Sequence, residues 1–89
     1  MTEAFRGKLR YFRPEKASGL AVIDIPPNVA MALGGLKQMR VKGVLNGVEF
    51  ASNTMPAGRG VLALSVNKKL MDAAGIKVGD NAEVSIERS

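Results

Sequence analysis

Arg6, Lys8 and Arg10 stand at alternate positions near the start of the chain. On an extended strand, alternate side chains leave the same face about 6–7 Å apart, close to the spacing of successive phosphates along one nucleic-acid strand. Tyr11, Phe12 and Arg13 follow at once and offer rings and a guanidinium for stacking at the end of such a row. The pattern points to nucleic acid or another polyanion as partner, with Arg6, Lys8, Arg10 and Arg13 as the binding residues. A solvated outer strand whose cations discourage edge pairing has the same pattern.

A second candidate is Met55-Pro56-Ala57-Gly58-Arg59-Gly60. Gly58 and Gly60 allow backbone N–H groups to approach an anion closely, and Arg59 between them can hold a phosphate or carboxylate in a forked geometry. The segment is no phosphate-loop signature, because the glycine spacing and the lysine-Ser/Thr ending are missing. A bulged connection between two strands is the simpler account of it. With the turn at Asn46-Gly47, this loop forms the alternative site, for a small molecule or a protein partner.

Catalysis has little to work with. The chain contains no histidine and no cysteine, which removes the usual general base near neutral pH, the usual metal ligand and the thiolate nucleophile. Ser18, Ser52, Thr54, Ser65 and Ser85 have no such base to activate them. The acids Asp24, Glu49, Asp72, Asp80 and Glu83 are scattered along the chain, unlike the clustered acids of a carboxylate metal site. The expectation is a non-enzymatic binding module with no catalytic residue, no metal and no cofactor.

At 89 residues the chain fits one domain, residues 1–89, with a small core. Apolar residues make up 46% of it, but only Phe5, Tyr11, Phe12 and Phe50 are aromatic. The core must therefore be aliphatic. The net charge of +5 favours anionic partners. No apolar run approaches the ~20 residues of a bilayer span, and the lack of cysteine suits the cytoplasm.

The elements that would position these residues can be read from patterning. Phe5, Gly7, Leu9 and Tyr11 alternate with the cations, as on a strand with one buried face. Phe12-Arg13-Pro14 ends it, and Glu15 to Gly19 is a polar connection. Leu20 to Ile25 reads as a buried strand, Pro26-Pro27 as its end, and Asn28 to Leu33 as a short helix stopped by Gly34-Gly35. Asn46-Gly47 between apolar-rich arms, Met39 to Leu45 and Val48 to Asn53, predicts a type I′ hairpin. Val61 to Val66 is a further buried strand. Asn67 caps a helix over Lys68 to Ala74, and Gly75 stops it. Ala82, Val84 and Ile86 alternate with Glu83, Ser85 and Glu87 in a last strand.

Laying Gly19 over Gly60 aligns Ile23 with Leu64, Ile25 with Val66, Val29 with Leu70, Gly34 with Gly75, Val41 with Ala82 and Leu45 with Ile86. Residues 19–45 and 60–86 thus share a strand–helix–strand pattern, which predicts a pseudo-twofold barrel closed within one chain. Such a chain would be a monomer, with a dimer as the alternative.

The segments "VKGVLNGVEF" at Val41 to Phe50, "MPAGRG" at Met55 to Gly60, "LSVNKKLMDAAGIKVGD" at Leu64 to Asp80 and "AEVSIE" at Ala82 to Glu87 resemble a family of small bacterial domains of unknown function, often labelled YdeI/OmpD-associated. "VIDIPPNVAMALG" at Val22 to Gly34 matches the family's strand–proline–helix pattern. The likeness departs before Val22, where the family pattern has a tryptophan and this chain has none. It implies a mostly β, six-stranded double-split barrel with two short helices, similar to AbrB-like, MazE-like and MraZ-like barrels. It further implies that Gly75 to Asp80 forms a glycine–aspartate turn, with Gly79 at positive φ and Asp80 accepting backbone N–H groups.

Overall fold

A computed structural model describes residues 2–13 and 19–89. The polar connection expected from Glu15 lies, up to Ser18, outside the described residues, as does Pro14.

The strands are β1 (Glu3–Tyr11), β2 (Ala21–Ile25), β3 (Arg40–Leu45), β4 (Val48–Pro56), β5 (Leu62–Val66) and β6 (Asn81–Arg88), with helices α1 (Pro27–Leu33) and α2 (Lys68–Ala74). They close an antiparallel barrel in the order β1-β2-β5-β4-β3-β6. The expected mostly β fold of six strands and two helices is present. Several ends shift by one residue (β2, β3 and β5 start at Ala21, Arg40 and Leu62, and α1 at Pro27), and one boundary differs by more. β4 runs on to Pro56, because Thr54, Met55 and Pro56 pair with Leu64, Ala63 and Leu62; proline is tolerated at a strand end. The predicted six-residue loop therefore shrinks to a turn over Ala57 to Val61, held by Ala57 N–H donating to the Val61 carbonyl and Val61 N–H to the Gly58 carbonyl at 2.8 and 3.0 Å.

The inward residues Leu9, Ala21, Ile23, Ile25, Val41, Leu45, Leu62, Leu64, Val66, Ala82, Val84 and Ile86 form the core, with Val29, Ala30 and Leu33 of α1 and Leu70 of α2 against it. α1 packs on β1 and α2 on β4. The helices start differently: Pro26 precedes α1 without a side-chain cap, whereas Asn67 Oδ1 accepts the Leu70 N–H of α2 at 2.8 Å. Both end at a glycine, Gly34 and Gly75. β2 and β5 are partly covered on the outer face as well, where Val22 and Ala63 are inaccessible while Asp24 is exposed and Ser65 half-buried.

The hairpin turn has the predicted geometry, with φ of 47° at Asn46 and 85° at Gly47, both positive as type I′ requires. Asn46 also grips the next strand. Its N–H donates to the Glu83 carbonyl at 3.0 Å, and its Oδ1 accepts the Glu83 N–H at 2.8 Å. An Asn46→Gly variant keeps the backbone freedom but loses that acceptor. It is expected to lower stability by about 1 kcal/mol, read from the urea midpoint; an unchanged midpoint would show that the side-chain bond contributes nothing.

The turn before β6 is likewise formed. Gly79 has φ of 104°, Lys77 N–H donates to Asp80 Oδ2 at 3.0 Å, and Gly79 N–H donates to the Leu9 carbonyl at 2.8 Å. Asp80 is thus a turn residue that helps dock β6 beside β1.

Candidate binding site

β1 presents Arg6 and Lys8 outward and exposed, as its alternation requires. Arg10 differs. Its Nε and Nη2 donate to the two oxygens of Asp24 at 3.0 and 2.8 Å, and its Nη1 donates to the Tyr11 carbonyl at 3.1 Å. The register explains this: Arg10 opposes Val22 on β2, and Asp24 is the next outward residue. The hydrogen bonds to Asp24 raise the guanidinium above its ordinary value, outweighing its partial desolvation. With a third to a half of each side chain exposed, solvent screening holds the pair to about 0.5–1 kcal/mol. The three cations are therefore not one free row: Arg6 and Lys8 carry no ion pair to any described residue, while Arg10 is committed. Arg13 is exposed beyond the strand end.

On the other side of β1 lies β6, then β3, and their registers stack outward residues in rows. One row is Arg6, Glu83 and Asn46; the next is Ala4, Ser85 and Val44; the one after sets Glu87 beside Lys42. The middle row is low in profile and leaves an open groove of about 520 Å³, whose lining includes Arg6, Val44, Gly47 and Glu83. Val44 is one of the few large apolar residues left exposed. The groove thus has an apolar wall, the hairpin tip at one end, and an arginine opposite a glutamate, neither ion-paired to a described residue.

Gly58, Arg59 and Gly60 sit in the β4–β5 turn, exposed, with φ of 85°, 55° and 75°. Arg59 is thus a non-glycine residue in the left-handed region, which costs about 1–2 kcal/mol. Among the described residues, no backbone carbonyl accepts the N–H groups of these three residues. The turn and the hairpin tip lie at opposite ends of β4, so the structure does not bring the two halves of the alternative site together.

Two of the hydroxyls noted in the sequence have structural partners, and Ser18 lies outside the described residues. Ser52 Oγ donates to the Ser65 carbonyl at 2.6 Å, and Thr54 Oγ1 donates to the Lys37 carbonyl at 3.0 Å. A second hollow, of about 500 Å³, lies between Tyr11, Leu20 and Met71 at the start of α2. Its lysine, Lys68, is ion-paired with Asp72 at 3.3 Å. Among the described residues, no three acids gather as a metal site would need, and no helix is long and apolar enough to cross a membrane.

Sequence reasoning found Arg6, Asn46 and Gly47 but not the groove that joins them. Glu83 was visible as an outward residue of β6. That β6 runs between β1 and β3 was not, because neither neighbour is its neighbour in the chain.

No curated protein matches this chain. A family model does, spanning the barrel from Phe5 in β1 to Ile86 in β6. Over residues 5–86 the chain belongs to the family described as Domain of unknown function (DUF1905).

Proposed function

We propose that this barrel is a non-enzymatic binding module that takes a compact anionic ligand with an apolar body in the groove on the β1–β6–β3 face. The observation that carries this reading is Arg6, exposed and without an ion pair to any described residue, beside a groove walled by Val44 and closed by the hairpin tip. An arginine above apolar surface binds a carboxylate or phosphate through its fork while the ligand body covers the wall. The test is a titration of ¹⁵N-labelled protein with 4-methylpentanoate. Saturable shifts at Ala4, Arg6, Val44 and Ser85, lost in Arg6→Gln, are expected; shifts that are absent, or that persist in Arg6→Gln, would sink the reading.

Binding of nucleic acid or another polyanion through the strand face is the second reading, supported by exposed Lys8 beside Arg6 and by the net charge of +5. The acids weigh against it, because Glu83 and Glu87 of β6 run between the cations of β1 and Lys42 of β3. With Arg10 bound to Asp24, exchanging Arg6 and Lys8 for serine removes about two phosphates from the salt slope, or about 1.4 in log K per log salt on a single strand. Exchanging Arg10 leaves the slope unchanged. Fluorescence anisotropy of a labelled oligonucleotide across salt measures this, and absence of binding at the lowest salt would exclude the polyanion.

The pseudo-twofold reading gains support from register. Ile23 pairs with Leu64 and Val44 with Ser85, each 41 positions on (64 − 23 and 85 − 44). α1 and α2 are offset by the same amount (68 − 27 and 74 − 33). A twofold axis through both pairs exchanges the halves. The kinship with AbrB-like barrels and the YdeI/OmpD-associated label rest on the sequence likeness, to which the Gly79–Asp80 turn adds support. A closed sheet leaves no strand edge for a second chain, in keeping with a monomer.

A further inference from the structure

We infer that the groove ligand is a zwitterion, an aliphatic α-amino acid or an equivalent group carrying an ammonium beside its carboxylate. This rests on the groove being the binding site. It adds Glu83 to the recognition chemistry. Arg6 and Glu83 are direct cross-strand partners in the β1–β6 ladder, so their Cβ atoms are about 4.5–5.5 Å apart. They nevertheless form no ion pair with each other or with any other described residue. Arg10 and Asp24, the outward pair on the next ladder, do close on one another.

The backbone holds Glu83 in place on both sides. Its N–H and carbonyl are taken by Asn46, and β1 pairs with it through Arg6. One cation and one anion, set side by side by the ladder at the mouth of a groove, match a ligand whose opposite charges sit on one carbon. A simple carboxylate would satisfy Arg6 and place its negative charge beside Glu83. An added ammonium turns that repulsion into attraction. The ligand body then extends over the neighbouring row, Ala4, Ser85 and Val44, where small side chains leave room and the exposed Val44 supplies apolar contact.

The experiment compares leucine, N-acetyl-leucine, leucinamide and 4-methylpentanoate by ¹⁵N chemical-shift titration of the intact chain. Leucine is expected to bind at Ala4, Arg6, Val44, Glu83 and Ser85 at least tenfold more tightly than the other three. Glu83→Gln should remove the preference for leucine over 4-methylpentanoate, and Arg6→Gln should remove the preference over leucinamide. Thermal melts confirm that these exposed substitutions keep the fold. If 4-methylpentanoate binds in the groove as tightly as leucine, the zwitterion is wrong and the anion site stands. If none of the four shifts these residues, both fail. Retention of the leucine preference in Glu83→Gln overturns the role of Glu83.

Discussion

Gly43→Ala is expected to destabilise the barrel by about 3 kcal/mol or more, and to abolish folding if the reserve is small. Gly43 lies in β3 between Phe50 of β4 and Ile86 of β6. A methyl group there would overlap the Ser85 carbonyl oxygen and come within 2.9 Å of the Ile86 Cα. Both obstacles are backbone, held in a ladder, so neither can turn aside as a side-chain tip would. Relief requires β3 and β6 to separate where their pairing closes one side of the barrel. Gly7 provides the contrast: a methyl there meets the Ile23 Cγ2 at 2.5 Å, and a side chain can yield at smaller cost. Urea titrations of Gly43→Ala and Gly7→Ala beside the parent would measure the order. A Gly43→Ala midpoint within error of the parent would mean that β3 and β6 do not approach as described.

The elements that local chemistry dictates were legible. Asn46-Gly47 defines a type I′ turn by itself, and Asn67 with Gly75 brackets α2 at the bounds the structure has. Alternation in β1 and β6 correctly separated inward from outward residues. What could not be read is lateral order. Gly43 looked like an ordinary hairpin-arm residue, and its need to be glycine comes from β6, about 40 residues away in the chain. Likewise Arg10 matched Arg6 and Lys8 in sequence, and only the register of β2 set Asp24 within its reach. A period of two identifies faces; it contains nothing about which strand lies alongside.

The site was legible to the same extent. Arg6 and the hairpin tip were singled out separately, one as part of a polyanion row and the other as part of a loop site. The ladders β1–β6 and β3–β6 join them. Those ladders also put Glu83 into the row, while the length of β4 takes Arg59 to its far end, so the face carries a cation beside an anion in place of a strip of positive charge.

Thr54→Val is the second substitution expected to act strongly, although it preserves shape. Thr54 is the buried polar residue of the core, with no accessible surface. Its Oγ1 accepts the Met39 N–H at 2.9 Å and donates to the Lys37 carbonyl at 3.0 Å, while its own N–H donates to the Met39 carbonyl at 2.8 Å. The segment between α1 and β3 has no strand pairing before Arg40, and this hydroxyl supplies its polar partners. Valine fills the same volume and leaves the backbone bond in place. The Met39 N–H and the Lys37 carbonyl then lose their partner, and an unsatisfied buried group costs about 1–3 kcal/mol. The expected loss is about 2–3 kcal/mol, with Thr54→Ser recovering most of it because serine retains the hydroxyl. Hydrogen exchange gives the decisive reading: the Met39 amide should exchange at least tenfold faster in Thr54→Val than in Thr54→Ser. Equal protection in the two would mean that another group holds the Met39 N–H and that the hydroxyl is not what fastens the α1–β3 link to β4.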